Sequence, residues 1–264
     1  MSDKLRIATF NANSIRSRLG IILDWMNLQS CDVLCVQETK VTDADFPAAA
    51  IAEAGYHAVF TGQKSYNGVA IISREPMEDV RIGLGREAPD EEARVIRGVA
   101  KGVTVVNTYI PQGTEVGSAR FAYKLGFIRG MRDYFARDLT PESPVVWVGD
   151  FNVATEPIDV YDPVGLAGSV CFHPDEHAAL EHVRDWGFVD VFRKHHPGEP
   201  NLYSFWDYRL PNALKRRLGW RIDHIWATVP LAERSADCWI DTEPRTMEKP
   251  SDHTFVVADL CGIV

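Results

Sequence analysis

The stretch VVWVGDFN at residues 145–152 joins a short apolar run to a glycine and two polar side chains, Asp150 and Asn152. A short apolar run that ends at turn-forming residues predicts a buried strand. Gly149 allows the backbone to turn, so we expect the carboxylate of Asp150 to leave the strand end and face a ligand. This stretch predicts an α/β protein with its chemistry at one edge of a sheet.

The same pattern recurs along the chain. Apolar runs end at polar residues in three more places, namely Leu5–Phe10 before Asn11 and Asn13, Val33–Val36 before Glu38 and Lys40, and Val103–Val106 before Asn107 and Tyr109. Arg221-Ile222 leads into Asp223 inside another apolar stretch. Asp252 and His253 precede the last run, Thr254–Leu260, and an antiparallel strand would return them to the same edge. Such an edge, with acids, amides, a phenol and an imidazole, predicts a metal-assisted phosphate site.

The order of the elements predicts mixed sheets, because helices separate some strands while other strands follow one another directly. Two packed sheets with helices outside them account for so many strands, and no linker interrupts residues 1–264, which predicts a single domain. The predicted strands are 5–10, 32–37, 57–61, 68–73, 79–83, 94–100, 103–110, 145–149, 202–206, 220–228, 237–242 and 253–260. The predicted helices are 15–29, 46–54, 119–138, 174–186 and 189–195.

Composition predicts a cytoplasmic protein without a membrane span. No apolar run approaches the length of a transmembrane helix, and the amino terminus, Met1–Lys4, lacks a signal-peptide pattern. Five cysteines without paired spacing predict reduced thiols. His173 and His177 suggest a zinc site, but Pro174 at a helix start with acids after it favours a capped helix.

The formal net charge of −9 argues against a general nucleic-acid binder. Its distribution weakens that objection, since a basic strip without acids lies between Asp207 and Asp223. The strip contains Arg209, Lys215, Arg216, Arg217 and Arg221.

The polar groups at these strand ends could together catalyse phosphodiester hydrolysis. Carboxylate and amide oxygens suit a hard cation, so Mg²⁺ is predicted, with Mn²⁺ as a substitute. Asp150 is placed to act as the general base toward water. Asn152, Tyr109 and His253 can donate hydrogen bonds to phosphate oxygens, and Asp223 can hold His253 in its charged form.

Taken in order, these motifs resemble the exonuclease III family of AP endonucleases, and its bacterial branch most closely. The matching segments are Thr9–Asn13, QETK at 37–40, Asn107–Gly113, GDFN at 149–152, YSFW at 203–206, WRID at 220–223 and KPSDH at 249–253.

The resemblance implies a four-layer α/β sandwich of the deoxyribonuclease I-like class, formed by two packed mixed β-sheets flanked by helices. It implies a monomeric Mg²⁺-dependent DNA repair nuclease. The enzyme would cleave duplex DNA 5′ to abasic sites, with a further activity on blocked 3′ ends as a 3′→5′ exonuclease or end-cleaning enzyme. The implied metal ligands are Glu38, Asn11, Asn13 and Asp252, the implied catalytic residues are Asp150, Tyr109, Asn152, Asp223 and His253, and the implied substrate contacts are Phe205, Trp220, Ile222, Lys40 and Arg221.

Two alternatives stay open on the residues alone. Glu38, Asp150 and the Ser251–His253 segment would equally serve an enzyme that hydrolyses inositol phosphates or sphingomyelin. A DNA-binding module without catalysis would require at least one broken polar strand end, and none is broken. One departure from the resemblance is Ser14, which stands where many relatives have glycine.

Overall fold

The structure, a computed structural model, describes residues 4–85 and 92–263. Residues 1–3, part of the segment on which the signal-peptide prediction rests, lie outside these ranges. The strands are β1 Lys4–Asn11, β2 Val33–Gln37, β3 His57–Thr61, β4 Val69–Ser73, β5 Glu78–Ile82, β6 Val95–Ala100, β7 Val103–Tyr109, β8 Val145–Asp150, β9 Phe188–Asp190, β10 Asp223–Thr228, β11 Ser235–Asp241 and β12 Phe255–Cys261. The α-helices are α1 Ile15–Leu28, α2 Ala48–Glu53, α3 Ala119–Asp138, α4 Pro174–Arg184, α5 Val191–His195, α6 Ala213–Arg216 and α7 Val229–Ala232.

The strands form two six-stranded sheets, with the orders β11-β12-β1-β2-β4-β3 and β5-β6-β7-β8-β10-β9. Each sheet contains one parallel pair, β1–β2 in the first and β7–β8 in the second, and its other pairs are antiparallel. The prediction of mixed sheets is therefore confirmed. No helix within the described ranges is long and apolar enough to cross a membrane.

Alternation along β8 shows how the layers are built. Val146 and Val148 belong to the core between the two sheets, whereas Val145 and Trp147 belong to the core beneath α3 and α4. Successive side chains of a strand point to opposite faces, so a strand buried on both faces must be apolar throughout. Burial of each such side chain contributes roughly 1.5–3 kcal/mol.

Helices cover the outer faces of both sheets. In α3 the apolar residues Ile128, Met131 and Phe135 recur at helical spacing and pack on β8, and the helix starts where the Ser118 hydroxyl accepts from the Phe121 N–H. On the other side, Trp25 of α1 stacks on Phe255. The order helix, sheet, sheet, helix is the predicted four-layer sandwich.

The prediction of a strand at 202–206 is wrong. This segment crosses the edge of the sandwich and makes only isolated bridges, from Phe205 to Trp220 and to His253. The Ser204 hydroxyl accepts the N–H groups of Ile222 and Asp223, so a side chain takes the place of ladder bonds. For the same reason β10 begins at Asp223 rather than at Trp220.

The helix-start interpretation of His173 is confirmed. His173 is the N-cap of α4, its Nδ1 accepts from the Asp175 N–H at 3.1 Å, and Pro174 follows at the first helical position. The His177 ring bonds the carbonyl of Ala154 at 2.8 Å. Both rings thus have protein partners, which removes the basis for the zinc alternative.

Candidate active site

The polar strand ends meet at one edge of the sandwich. Asn11 lies beside Gln37 where β1 and β2 end, and Tyr109 lies beside Asp150 where β7 and β8 end. Asp223 at the start of β10 pairs with Asp150 across an antiparallel ladder. Because β12 runs antiparallel to β1, the residues before β12 return to the same edge, as predicted.

The loops that follow β1 and β2 remain connected by backbone hydrogen bonds beyond the end of the sheet. The N–H of Ser14 donates to the carbonyl of Glu38 at 2.8 Å, and that of Ile15 to Thr39 at 3.1 Å. Glu38 has a φ of 50° and Asn13 one of 45°, a left-handed conformation that is uncommon outside glycine and asparagine. Backbone strain of this kind, roughly 1–3 kcal/mol for a residue like Glu38, is typical of functional loops.

Asn11 connects the two carboxylates at the centre of the site. Its fully buried amide nitrogen donates to Glu38 Oε1 at 2.8 Å and to Asp150 Oδ2 at 2.9 Å, and its amide oxygen accepts the N–H of Asn13 at 2.9 Å. Asn11 was predicted as a metal ligand, and in the structure its amide nitrogen bridges the carboxylates of Glu38 and Asp150.

Asn13, Lys40 and Asp252 form the outer side of the same cluster. The amide nitrogen of Asn13 donates to Asp252 Oδ1 at 3.0 Å, and its oxygen accepts from Lys40 Nζ at 2.5 Å. Lys40 Nζ also lies 2.7 Å from Glu38 Oε2. Burial alone would raise the pKa of Glu38, but the Lys40 ammonium, with the Asn11 hydrogen bond and the His253 charge, outweighs burial and lowers this pKa.

His253 is held between two acids. Its Nδ1 lies 2.8 Å from Asp223 Oδ2, and its Nε2 lies 3.8 Å from Asp150 Oδ2. Burial lowers the pKa of His253, but the charges of Asp223 and Asp150 outweigh burial and raise this pKa above its usual value. Burial raises the pKa of Asp150, the nearby His253 charge opposes that rise, and Asp223 adds to it.

The ligand atoms of Asp150, Asp223 and His253 lie within 4.8 Å of one another, so this buried cluster could hold a metal ion on distance alone. A charged imidazole, however, has two N–H donors and no lone pair for a cation. The carboxylate of Asp223 already accepts a hydrogen bond from His253 Nδ1.

Gly149 and Asn152 set the backbone on either side of Asp150. Gly149 has a φ of +145°, and a Cβ there would lie 1.9 Å from the carbonyl oxygen of Thr108, so only glycine fits. Asn152 has a φ of 52°, and its side chain donates to the Ile110 carbonyl at 3.0 Å and to Asp150 Oδ2 at 3.2 Å. Its own N–H donates to Asp150 Oδ1 at 2.9 Å, so the carboxylate is held in one orientation.

Tyr109 presents a neutral hydroxyl to the site. Burial raises the pKa of this phenol well above its usual value, and the acids Glu38 and Asp150 raise it further. The Arg94 guanidinium lies over the ring, 4.8 Å from its centroid, and donates to the Tyr109 carbonyl at 3.0 Å. Tyr109 is thus a fixed hydrogen-bond donor.

One cavity of about 940 Å³ joins these polar groups to an apolar pocket. The predicted pocket residues Phe205, Trp220 and Ile222 line it, and the Phe205 ring lies 4.8 Å from that of His253. The polar end is lined by Glu38, Tyr109, Asp150, Asn152, Asp252 and His253. The prediction missed five further apolar lining residues, which stand on irregular loops without a periodic signal: Val116, Tyr161, Leu166, Val170 and Leu210.

The prediction of Arg221 as a substrate contact is wrong. Its side chain is fully buried, with Nε 2.7 Å from Asp159 Oδ1 and Nη1 2.9 Å from Asp190 Oδ2. Trp220 and Ile222 face the cavity, so in extended backbone the residue between them points to the opposite side. Arg209 of the same basic strip does line the cavity.

Comparison with known proteins gives consistent matches over nearly the whole chain. The sequence pattern of the family described as Endonuclease/Exonuclease/phosphatase matches residues 8–253. The exodeoxyribonuclease III of Haemophilus influenzae is 31% identical over 268 aligned positions, covering 97% of this chain and 99% of that protein. Among solved structures, an AP endonuclease from Archaeoglobus fulgidus is 50% identical with a TM-score of 0.93, covering 96% of this chain and 98% of that chain. The 3′ phosphatase NExo from Neisseria, bound to a product DNA hairpin, is 35% identical with a TM-score of 0.93, covering 97% and 99%.

Proposed function

The chain belongs to the endonuclease/exonuclease/phosphatase family, and from this membership we propose that it is a Mg²⁺-dependent DNA repair nuclease. It cuts duplex DNA 5′ to an abasic site, leaves a 3′-hydroxyl, and also acts on 3′ ends. Relatives named as an exodeoxyribonuclease III, an AP endonuclease and a 3′ phosphatase support these activities. The observation that carries the proposal is the single cavity that joins the phosphate-binding groups to an apolar pocket.

Glu38 and Asp252 are proposed to hold the metal ion, with the amides of Asn11 and Asn13 beside them. The donor set fits, because carboxylate and amide oxygens are the ligands that Mg²⁺ and Mn²⁺ prefer. Burial raises the pKa of Asp150, and the nearby acids Asp223 and Glu38 add to that rise, so a bound cation would favour its ionised form. When bound, the ion would neutralise charge on the phosphate and on the leaving oxygen.

Asp150 is proposed to take the proton from the attacking water. Its carboxylate is fixed by the Asn11 amide and by two N–H groups of Asn152, so it needs no reorganisation during the reaction. Burial shifts its pKa upward, toward the working pH, which suits a general base.

Tyr109 and His253 are proposed to bind the phosphate oxygens. Asn152 was predicted as a third contact, but both of its amide hydrogens donate to Ile110 and Asp150. The phenol is a neutral donor, and the imidazole is charged because Asp223 and Asp150 stabilise its protonated form. Charged and neutral donors that are fixed in advance stabilise the negative charge that develops in the transition state. Lys40 lies at the edge of this group and is proposed as a further contact to the DNA backbone.

Phe205, Trp220 and Ile222 are proposed to select the substrate. A deoxyribose without a base exposes little polar surface and fits an apolar pocket next to the phosphate site. An intact nucleotide would first have to leave the base stack, which costs a few kcal/mol. The exposed residues of the basic strip, including Arg209, are proposed to bind the duplex electrostatically.

The remaining proposals concern the whole chain. Residues 1–264 are proposed to form one domain that acts as a monomer in the cytoplasm. All five cysteines are free and four of them are buried, which supports a reducing compartment.

A side-by-side assay tests the substrate class. The protein is incubated with a labelled duplex carrying one abasic site and, separately, with a soluble inositol phosphate, each with Mg²⁺. The proposal predicts incision of the duplex at the abasic site and no release of phosphate from the inositol substrate. Turnover of the inositol phosphate without incision of the duplex would favour the alternative enzyme and overturn the proposal.

A further inference from the structure

A buried ion pair lies directly behind the catalytic loops. Lys124 on α3 and Glu176 on α4 have fully buried side chains, and their Nζ and Oε1 atoms are 2.5 Å apart. Lys124 Nζ also donates to the carbonyl of Asn152 at 2.7 Å and to that of Gln112 at 3.1 Å. The three donors of the ammonium therefore have three oxygen partners, and none is left for a substrate.

The two carbonyls belong to different parts of the site. Gln112 follows β7, which carries Tyr109, and Asn152 follows β8, which carries Asp150. Both Gln112 and Asn152 line the cavity. The ammonium thus fixes the distance between two loops that hold groups proposed to act on one phosphate.

Glu176 extends this connection to a third cavity wall. Its carboxylate accepts the N–H groups of Cys171 at 3.2 Å and His173 at 3.0 Å, and Cys171 lines the cavity. The packing around the lysine leaves little room, since a Cβ at Gly113 would lie 3.2 Å from Lys124 Cδ. One charge pair therefore joins the segments that contain Gln112, Asn152 and Cys171.

We propose that Lys124, together with Glu176, is a positioning residue that sets Asn152 and Gln112 relative to Asp150 for the reaction. This inference rests on the proposed function. A buried ion pair often adds little net stability compared with apolar residues of the same volume. Its contribution is therefore expected in the geometry of the loops, where an error of 1 Å can cost about 100-fold in rate.

The test compares Lys124→Met and the double variant Lys124→Met/Glu176→Gln with Arg97→Met as the matched control. The double variant avoids an unpaired buried carboxylate. Arg97 is equally enclosed, with its side chain 4% exposed, and it pairs with Asp79 and Asp138 away from the cavity. Single-turnover rate on an abasic duplex, duplex Kd and amide hydrogen exchange are measured for each protein below its unfolding temperature.

The proposal predicts that the double variant loses about 10–100-fold in turnover with a Kd within about twofold of wild type. It also predicts faster amide exchange in the segments around residues 110–114 and 150–154, which the Arg97→Met control does not show. Wild-type turnover in a folded double variant, or unchanged exchange in both segments, would overturn the positioning role.

Two further measurements cover the cases in which the lysine variants do not fold or the wild-type protein does not cut the duplex. If the lysine variants do not fold, Glu176→Gln alone is measured, since it keeps an oxygen for Lys124 while removing the charge. A lower turnover with unchanged Kd then supports the proposal, and wild-type turnover overturns it. If the wild-type protein does not cut the abasic duplex, the proposed function fails, and the exchange measurement still decides whether Lys124 fixes the loops.

Discussion

Replacing Arg221 by methionine separates a structural role from DNA contact. The guanidinium is fully buried and pairs with Asp159 and Asp190. Removing one partner of a buried ion pair costs about 3–5 kcal/mol, because the remaining charge keeps its desolvation penalty. Arg193 still contacts Asp159, so we expect a loss near the lower end, about 3 kcal/mol.

The assay is urea unfolding followed by tryptophan fluorescence, with incision of an abasic duplex measured at low denaturant. Arg221→Met should lower the midpoint without changing the slope m, and the folded variant should retain wild-type Kd and salt dependence. Arg209→Met is the control, because Arg209 is 89% exposed and should alter DNA binding with little effect on unfolding. A stable Arg221→Met protein with weakened, less salt-dependent DNA binding would refute this reasoning.

The pH dependence of the unfolding free energy provides an independent test of the structural role of Arg221. Burial opposes ionisation of Asp159 and Asp190, but Arg221, together with Arg193 at Asp159 and His224 at Asp190, outweighs burial and lowers the pKa of both carboxyls. A lowered pKa contributes stability above the unfolded value of about 3.9, and this stability is lost as the pH falls through the folded pKa. The difference in unfolding free energy between wild type and Arg221→Met should therefore narrow below about pH 4.

Three further predictions concern the site and its loops. Asp150→Asn should lower turnover by about 100-fold or more while duplex binding survives, as measured by single-turnover incision and by Kd; near wild-type incision would remove Asp150 as the base. Ser14 has a φ of 99°, so Ser14→Gly should relieve backbone strain. After the entropy cost of glycine is subtracted, the free energy of unfolding should rise by about 1 kcal/mol, and a lower melting temperature would contradict this. Trp220→Ala should reduce the ratio of kcat/KM for abasic over intact duplex by about tenfold, and an unchanged ratio would exclude Trp220 from substrate selection.

Local patterns predicted most of the fold. Strands such as β8 are apolar on both faces, and α3 combines helical spacing with a serine cap, so each is specified by its own residues. The segment 202–206 has strand-like residues but pairs through isolated bridges. Its course depends on Ser204 and on distant parts of the chain, which no local pattern contains.

The sequence predicted those site residues that lie at strand ends. It did not predict residues whose position depends on contacts with distant parts of the chain. The spacing of Glu38, Asp150 and His253 after or before apolar runs placed them at one edge, and the structure brings them together. Arg221 was misassigned because a basic residue beside Trp220 resembles a DNA contact, whereas its two acidic partners are distant in sequence. Lys124 gave no signal, since a lysine within a helix is usually solvated.

One digestion decides whether this cavity incises DNA at abasic sites with a bound metal ion. A duplex labelled on the strand with a single abasic site is incubated with the protein in Mg²⁺, in EDTA, and in EDTA followed by excess Mg²⁺, and the product ends are identified. We expect one cut 5′ to the abasic site with a 3′-hydroxyl end in Mg²⁺, no cut in EDTA, and recovery of cutting when Mg²⁺ is restored. Intact strand under every condition, equal cutting in EDTA, or cleavage on the 3′ side would contradict it.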